Sequence, residues 1–432
     1  MKWQDYYKDR TCTAADAVRH IKSGDSVVVA HACGEPRSLT NALSDRYNEL
    51  ENVKIVHRVG MGEGRYAQPG MEGAFRHVSL FAGPSTRQAI NSGRADFIPR
   101  FISEIPSLFI DGVIPLDVAL VTVCPPDRHG YCSLGISVDY TLPAARAAKM
   151  IIAEVNENMP RTHGDSFIHV RDISYFVPSS QELIQVERPT FTEVEKAIGR
   201  HVNTLIRDGD TLQLGIGAIP DAILSFLKEK NDLGIHTEVF SDGVMELTDL
   251  GVINGAKKTL HKGKIVSTFV MGSKELYAWL DDNPFIEMHS EDYVNNPWVI
   301  GRNDNMVSIN SALQVDVLGQ VAADQINGRQ FSGVGGQVDF IRGIHLSKNG
   351  RSIIAMPSTA AKGTISRIVP ALSRGTAVTT SRNEVSCIVT EYGIAMLEAK
   401  TNLERLNALV AISHPDFREE IREEAMKLYY SA

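Results

Sequence analysis

The chain contains an internal duplication, and no other feature restricts its possible folds as strongly. Residues 21–29, IKSGDSVVV, recur as residues 206–214, IRDGDTLQL. Four shorter matches follow in the same order: FAGPS with FVMGS, DRHG with DVLG, VDY with VDF, and IIA with a second IIA. The offset between the copies drifts only from 185 to 202 residues. One short match could arise by chance, whereas five collinear matches predict two copies of a single structural unit.

Each copy alternates helical patterns with short strands rich in Val and Ile, which is typical of parallel sheets buried between helices. The sequence therefore predicts two similar open α/β domains, each with a mostly parallel sheet flanked by helices. A length of 432 residues also favours two cores over one. We place the boundary before the helical run at 194–198, which gives an N-terminal domain of residues 1–190 and a C-terminal domain of residues 191–432. Ligands of such sheets bind at loops that follow the carboxyl ends of the strands.

Composition argues against several classes of function. The net charge of −8 disfavours general binding of nucleic acid, which requires a basic surface. No run of about twenty apolar residues occurs, so we expect no membrane span, and the polar N-terminus does not resemble a signal peptide. The five cysteines form no CxxC pair and the 13 histidines form no HxH or HxxxH set. We therefore predict free thiols, a cytoplasmic location and no metal site.

The residues suited to chemistry are concentrated in the second copy. Glu238 lies in GIHTEVFSDG at residues 234–243, preceded by the loop LGIGAIP at 214–220 and followed by GVGGQVDF at 333–340. A carboxylate and two loops of bare backbone N–H groups are what acyl transfer needs, namely a nucleophile and donors for a developing oxyanion. Pattern alone leaves other interpretations open. Most Glu side chains are simply solvated, and either loop could be a plain tight turn.

The first glycine-rich loop does not match the nucleotide-binding motifs. Pro220 occupies the place of the third glycine in GxGxxG, and no Gly-Lys-Ser/Thr follows. The first copy has neither of the features found in the second. Residues 30–32, AHA, stand in place of the GxG turn, and Val56 lies close to the position that corresponds to Glu238. We therefore expect chemistry in the second domain only, with the first supplying substrate walls and the domain or dimer surface.

The order and the amino-acid sequences of these segments, together with residues 9–12 (DRTC) and 414–417 (HPDF), closely resemble those of the acetyl-CoA hydrolase/transferase family. Within it, the nearest likeness is to the branch that acts on 4-hydroxybutyrate, butyrate and acetate. The resemblance implies that Glu238 attacks the thioester carbonyl of an acyl-CoA. The catalytic residues that it implies in addition are Ile216 and Gly336 as oxyanion N–H donors, Asn295 near the nucleophile, and Glu391 to orient the acid or move a proton. The CoA-binding residues that it implies are Gly215, Ile216, Gly217, Ala218, Ile219, Leu313, Gly335 and Gly336.

Several of these positions also have ordinary structural explanations. Asn295 could be a turn asparagine that precedes a proline. Glu391 could form an ion pair with Arg382, and Leu313 could pack in the core. Four cations late in the chain could either hold the CoA phosphates or form a solvated surface, namely Lys362, Arg367, Arg374 and Arg382.

The function implied by the resemblance is a CoA-transferase that exchanges CoA between a short-chain acyl-CoA (4-hydroxybutyryl-, butyryl- or acetyl-CoA) and a free carboxylate such as acetate. A glutamyl-CoA thioester is the covalent intermediate, which predicts ping-pong kinetics. CoA is then a substrate, no cofactor is bound permanently, and a homo-oligomer (dimer or tetramer) is expected. Two alternatives stay open: an acyl-CoA hydrolase with the same glutamate and water as acceptor, and a non-catalytic protein that binds CoA or a sugar phosphate.

Overall fold

The computed structural model describes residues 2–430 and consists of two compact units. The first unit contains the chain up to Glu187 and the later segment Val266–Val294, and the second contains Arg188–Ile265 and the chain from Asn295 onward. The predicted domains, residues 1–190 and 191–432, stay a prediction about domain organisation. The structural units differ from them in that Val266–Val294 packs with the first unit. Within residues 2–430 no helix combines the length and hydropathy needed to cross a lipid bilayer.

The first unit is built on a seven-stranded parallel sheet. Its strands lie in the order β7-β6-β5-β1-β2-β3-β4, and every neighbouring pair is parallel. In chain order they are β1 (Ser26–Val29), β2 (Val53–His57), β3 (Phe75–Ser79), β4 (Asp96–Phe97), β5 (Val118–Val123), β6 (Met150–Asn156) and β7 (Tyr175–Ser179). All residues of β1 and β5 are buried. This explains their Val-rich sequences, because a strand without a solvent face favours apolar side chains.

Helices and short strands complete the first unit. Its helices are Trp3–Asp9, Ala14–Val18, Arg37–Asp45, Arg87–Asn91, Ile105–Ile110, Thr141–Ala147, Lys274–Leu280 and Glu291–Val294. Strand Tyr131–Ser133 pairs antiparallel with Phe167–His169, and His163–Gly164 pairs in parallel with Ile286–Met288. A further short strand is Phe269–Val270, and Ile265–Ser267 lies where the chain passes between the units.

Six strands of the second unit lie side by side in one sheet, in the order β13-β12-β11-β10-β8-β9. Only the edge pair β12–β13 is antiparallel. In chain order the strands are β8 (Thr211–Leu214), β9 (Gly234–His236), β10 (Met306–Asn310), β11 (Arg351–Ala355), β12 (Cys387–Thr390) and β13 (Gly393–Met396). The shorter strands are Val239–Phe240, Gln314–Asp316, Val321–Ala322, Gln325–Ile326, Arg329–Gln330, Thr359–Ala360, Ile365–Ser366 and Ile368–Val369.

Helices cover the second sheet, and two of them begin with capping boxes. The predicted helix at 194–198 is confirmed as Glu193–Leu205, and it begins with a capping box formed by Thr192 and Glu195. A second capping box, Thr401 with Glu404, starts the helix Asn402–Ile412. The other helices of this unit are Ala218–Ser225, Asp242–Asp249, Pro297–Ile300, Gln337–Leu346 and Arg418–Tyr429.

The two sheets share one topology, which confirms the predicted fold class and the duplication. The first unit contains the spatial order β7-β6-β5-β1-β2, and the second contains β12-β11-β10-β8-β9. The two orders correspond strand by strand, with β8 in the place of β1 and β9 in the place of β2. In both units the first strand of the copy is therefore central. The carboxyl ends of β8, β9, β10, β11 and β12 lie at one edge of the second sheet, where the predicted site residues follow them.

Strand register corrects one expectation about the first copy. Ser26 pairs with Lys54 in the first unit, and its counterpart Thr211 pairs with Gly234 in the second. Counting onward from these pairs, the residue that corresponds to Glu238 is Arg58, not Val56. The sequence alignment of the two copies differed from this by two residues, because sequence alone does not show which residues of neighbouring strands pair. The first unit thus carries a cation at the position where the second carries its carboxylate.

Arg58 is neutralised inside the first unit. Its side chain is 2% exposed, and its Nη1 lies 2.8 Å from Oε2 of Glu291, which is fully buried. The guanidinium also lies over the ring of Phe269. A buried pair of this kind survives only when both charges are matched, because an unpaired charge in the interior is strongly unfavourable. The expectation that the first copy lacks a nucleophile agrees with this arrangement.

Candidate active site

Glu238 lies just beyond the carboxyl end of β9 and is largely shielded from solvent. Its residue exposure is 8%, and the neighbouring Thr237 is 1% exposed. The Nδ2 of Asn295 donates a hydrogen bond to Oε2 of Glu238 at 3.2 Å, and Asn295 itself has 0% exposure. Asn295 is thus a turn residue shortly before Pro297, as the alternative held, and it is also a buried partner of the carboxylate.

The second glycine-rich loop approaches the same carboxylate. A Cβ atom added to Gly336 would lie 2.7 Å from Nδ2 of Asn295 and closer still to Oε2 of Glu238. Gly336 precedes the helix Gln337–Leu346, and Gly335 has φ +60°, a conformation that favours glycine. The structure therefore brings together Glu238, Asn295 and Gly336, which are 41 to 98 residues apart in the chain. A side chain at position 336 would therefore displace the ends of the Glu238 and Asn295 side chains.

The first glycine-rich loop follows β8 directly. Gly217 has φ +112° and precedes the helix Ala218–Ser225, whose first turn has no side-chain cap. A Cβ at Gly215 or Gly217 would meet no atom within 4 Å. The predicted CoA-contacting residues of this loop are half-buried: Gly215, Ile216, Gly217, Ala218 and Ile219. Backbone N–H groups at an uncapped helix start beside open space can receive an anionic oxygen.

Glu391 forms a second polar group at the carboxyl ends of β11 and β12. Its Oε2 accepts a hydrogen bond from the backbone N–H of Ser358 at 2.8 Å, and its Oε1 accepts one from the Ser358 hydroxyl at 2.6 Å. Burial lowers the pKa of the nearby Arg367 guanidinium, and the Glu391 carboxylate partly offsets that effect. Among residues 2–430 no ion pair joins Glu391 to Arg382, so that alternative is wrong. The backbone N–H and the hydroxyl of Ser358 hold the carboxylate instead.

The remaining predicted residues are scattered. Leu313 is half-buried, and its backbone N–H donates to the carbonyl oxygen of Ala322 at 2.9 Å, so it lines the sheet edge without a deep core position. Arg367 donates to the carbonyl oxygens of Thr359 and Ala312. The other three cations, Lys362, Arg374 and Arg382, have exposed side chains. Their expected phosphate contacts stay predictions.

Sequence reasoning missed the supporting residues of the site. Phe340 is fully buried, and its Cδ2 would lie 3.2 Å from a Cβ at Gly336, so its ring limits how far that loop can withdraw. Gln337 joins two other segments, since its Nε2 donates to the carbonyl oxygen of Ser311 and its Oε1 accepts from the hydroxyl of Thr380. Neither residue carries a recognisable motif. Their place directly after the GVGG loop was the one signal that could have marked them.

Comparison with known proteins places these features in a family. The model of the acetyl-CoA hydrolase/transferase N-terminal domain matches residues 1–186, and the model of the C-terminal domain matches residues 272–425. The chain is 58% identical over 429 residues to a 4-hydroxybutyrate coenzyme A transferase of Clostridium kluyveri, which covers 99% of this chain and 100% of that protein.

Solved structures agree with this placement. The structure of a 4-hydroxybutyrate CoA-transferase from Porphyromonas gingivalis is 43% identical with a TM-score of 0.87 and covers 99% of this chain and 100% of its own. RipA from Yersinia pestis is 36% identical with a TM-score of 0.95 and the same coverage. Both likenesses extend through both units of the fold.

Proposed function

The chain belongs to the acetyl-CoA hydrolase/transferase family, and from this premise we propose that it is a CoA-transferase. It exchanges CoA between a short-chain acyl-CoA and a free carboxylate, with 4-hydroxybutyrate, butyrate and acetate as the expected acids. The single observation that carries the proposal is the convergence of Glu238, Asn295 and Gly336 at one edge of a parallel sheet. The names of the relatives support the choice of acids.

The first half-reaction begins with attack of a Glu238 carboxylate oxygen on the thioester carbonyl carbon. The carbonyl π electrons move to its oxygen, and backbone N–H groups of Ile216 and Gly336 stabilise the resulting oxyanion. Collapse expels the CoA thiolate and leaves a mixed anhydride between Glu238 and the acyl group. The thiolate then attacks the Glu238 carbonyl of that anhydride, which releases the free carboxylate and leaves a glutamyl-CoA thioester.

The second half-reaction repeats these steps in reverse with the acceptor acid. An incoming carboxylate attacks the glutamyl-CoA thioester, the thiolate leaves, and it then attacks the acceptor's side of the new anhydride. Because the enzyme carboxylate and the substrate carboxylates are chemically alike, each exchange is nearly thermoneutral and needs no nucleotide. Division of one exchange into two covalent halves produces ping-pong kinetics.

The neighbours of Glu238 fit the demands of a nucleophile. The amide of Asn295 holds one carboxylate oxygen at 3.2 Å, which orients the other oxygen without neutralising the charge. The absence of a side chain at Gly336 allows a thioester to approach the backbone N–H closely. Glu391, whose carboxylate is held by Ser358, has the proposed role of orienting the acid substrate or moving a proton when water is the acceptor. Leu313 and residues 215–219 would contact the pantetheine arm.

Hydrolysis is the second candidate, since the matched family includes hydrolases by its description. A hydrolase would use the same Glu238 and accept water in the second half-reaction. Butyryl-CoA with excess acetate separates the two activities. A transferase produces acetyl-CoA and butyrate, whereas a hydrolase produces free CoA. A non-catalytic binding protein would show neither product.

The covalent step is tested at Glu238. Enzyme treated with acyl-CoA alone and then with borohydride should carry a reduced residue at position 238, detected by peptide mass. Glu238→Ala should lose exchange and trapping with an unchanged melting temperature, while Glu229→Ala, which removes an exposed carboxylate from the same unit, should keep both. Near-normal turnover of Glu238→Ala would mean that the nucleophile is a different residue.

We also propose a cytoplasmic location, a homodimer or tetramer, and no permanently bound cofactor. The five cysteines are free thiols and four of them are buried, which suits a reducing compartment. Light scattering at several protein concentrations measures the oligomeric state. A single polypeptide mass in solution would contradict the proposed assembly.

A further inference from the structure

We propose that Thr237 and Ser241 form a two-hydroxyl clamp that positions Glu238 against the 215–217 loop. Neither residue is part of the acyl-transfer steps described above, and the inference rests on the proposed function. Thr237 directly precedes the nucleophile, and Ser241 follows it by three residues. Each hydroxyl donates to a group that borders the glycine loop, one before the loop and one after it.

Thr237 joins the nucleophile segment to the residue before the loop. Its Oγ1 lies 2.9 Å from the carbonyl oxygen of Leu214 and 2.9 Å from that of Val239, so its single proton is shared between two acceptors. Thr237 is 1% exposed. The backbone pairing of β8 with β9 ends at Leu212 and Ile235. Beyond that point the hydroxyl, rather than the sheet ladder, connects the two strand ends.

Ser241 joins the nucleophile segment to the helix after the loop. Its Oγ donates to Oδ1 of Asp221 at 2.9 Å, and Ser241 is 7% exposed. Asp221 lies in the first turn of Ala218–Ser225, and its backbone N–H donates to the carbonyl oxygen of Gly217. Burial raises the pKa of the Asp221 carboxyl, and the Ser241 hydroxyl partly offsets that effect. The hydrogen bond therefore serves a partly desolvated carboxylate, where it is strong.

The two hydrogen bonds lie on either side of both the glycine loop and the nucleophile Glu238. Leu214 and Asp221 lie on either side of the glycine loop, while Thr237 and Ser241 lie on either side of Glu238. Loss of either hydroxyl releases one end of this arrangement and changes the distance between the carboxylate and the loop N–H groups. Acyl transfer is sensitive to such changes, because a misplacement of about 1 Å can slow a reaction about 100-fold.

The same hydrogen bonds would be present if the two hydroxyls only stabilised the fold. The test must therefore measure the effect on kcat separately from the effect on thermal stability. Thr237→Val keeps the shape and β-branching and removes only the hydroxyl. We expect its kcat to fall about 10- to 100-fold with KM for acyl-CoA nearly unchanged, and borohydride trapping to slow in parallel. Thr237→Ser restores the hydroxyl and should recover most of the rate.

Thr248→Val is the matched control. Thr248 is half-buried in the same unit, and its hydroxyl donates to the carbonyl oxygen of Val244 at 2.8 Å within its own helix. This variant should keep the wild-type kcat. Ser241→Ala supplies an independent removal of the second contact and should also lower kcat. If the two hydroxyls act as one clamp, the double variant should lose less than the product of the single losses.

The outcomes separate this proposal from the proposed function. If Glu238→Ala is inactive while Thr237→Val and Ser241→Ala both turn over at the wild-type rate, the clamp is refuted and the nucleophile stands. The clamp is also refuted if Thr237→Val loses only thermal stability, or if Thr237→Ser fails to recover the rate. Activity in Glu238→Ala would refute the function itself.

Discussion

Replacement of Gly336 by alanine isolates the close approach of the second glycine loop to the nucleophile. Gly336 has φ −81° and ψ 0°, a conformation that alanine can adopt. Where space allows, a change from Gly to Ala stabilises a fold by about 0.4–1 kcal/mol, because it restricts the unfolded chain. The added methyl group is therefore the only unfavourable feature of the substitution, and its position decides the result.

The structure sets the size of the effect. The new Cβ would lie 2.7 Å from Nδ2 of Asn295 and nearer to Oε2 of Glu238, whereas carbon–oxygen contacts begin at about 3.3 Å. The buried ring of Phe340, 3.2 Å from the same Cβ, limits withdrawal of the loop. The carboxylate must therefore retreat by about 1 Å, which corresponds to about a 100-fold loss of rate. That loss equals about 2.7 kcal/mol of activation free energy.

The assay measures transfer of CoA from butyryl-CoA to acetate, together with borohydride trapping and thermal unfolding. Gly336→Ala should lose rate and trapping while it keeps a cooperative unfolding transition. Gly73→Ala is the control, because a Cβ there meets no atom within 4 Å, and it should transfer CoA at the wild-type rate. A Gly336→Ala enzyme with the full kcat would refute the argument that the loop and Glu238 must approach this closely.

Three further predictions follow from buried polar groups. Asn295→Ala removes the amide donor to Glu238 and should lower kcat about 10- to 100-fold, as loss of a hydrogen bond to a charged group does; an unchanged single-turnover rate would contradict this. Arg58→Met removes the guanidinium from its buried ion pair with Glu291 and should lower the free energy of unfolding by about 3–5 kcal/mol. Urea titration should show recovery when Glu291→Leu is added. Burial lowers the pKa of His77 from 6.5 to about 4, so the unfolded chain takes up a proton at a pH where the folded chain does not. The contribution of His77 to the free energy of unfolding should be fully present above pH 7 and fall by about 3 kcal/mol as the pH drops from 6.5 to 4. His77→Gln should make the measured profile shallower by that amount, while the lowered pKa of buried His57 maintains part of the acid dependence.

Much of the architecture could be predicted from local pattern. The repeat of residues 21–29 at 206–214 predicted two sheets of one topology, and both have their first strand at the centre. The helix after Thr192 was expected from its amphipathic run and begins with a capping box. These features depend on residues within a few positions of one another, so the chain carries the information locally.

The pairing of residues between neighbouring strands could not be predicted from the sequence. The comparison of the copies placed the counterpart of Glu238 close to Val56, whereas counting onward from the strand pairs gives Arg58. A slip of two residues keeps the same side of the strand, so hydrophobic pattern alone does not detect it. The buried ion pair of Arg58 with Glu291 depends on a segment more than 200 residues away, and the sequence around Arg58 contains no motif that predicts this partner.

By itself, the sequence determined that the chain forms two α/β copies, that the second copy holds a carboxylate between two glycine loops, and that position 336 has no side chain. Only the tertiary structure decided that Asn295 is the partner of Glu238, that Ser358 rather than Arg382 holds Glu391, and that the hydroxyls of Thr237 and Ser241 border the first loop. The physical reason is separation along the chain. Backbone conformation follows from neighbours within a few residues, whereas a hydrogen bond between distant segments depends on how whole strands and helices pack.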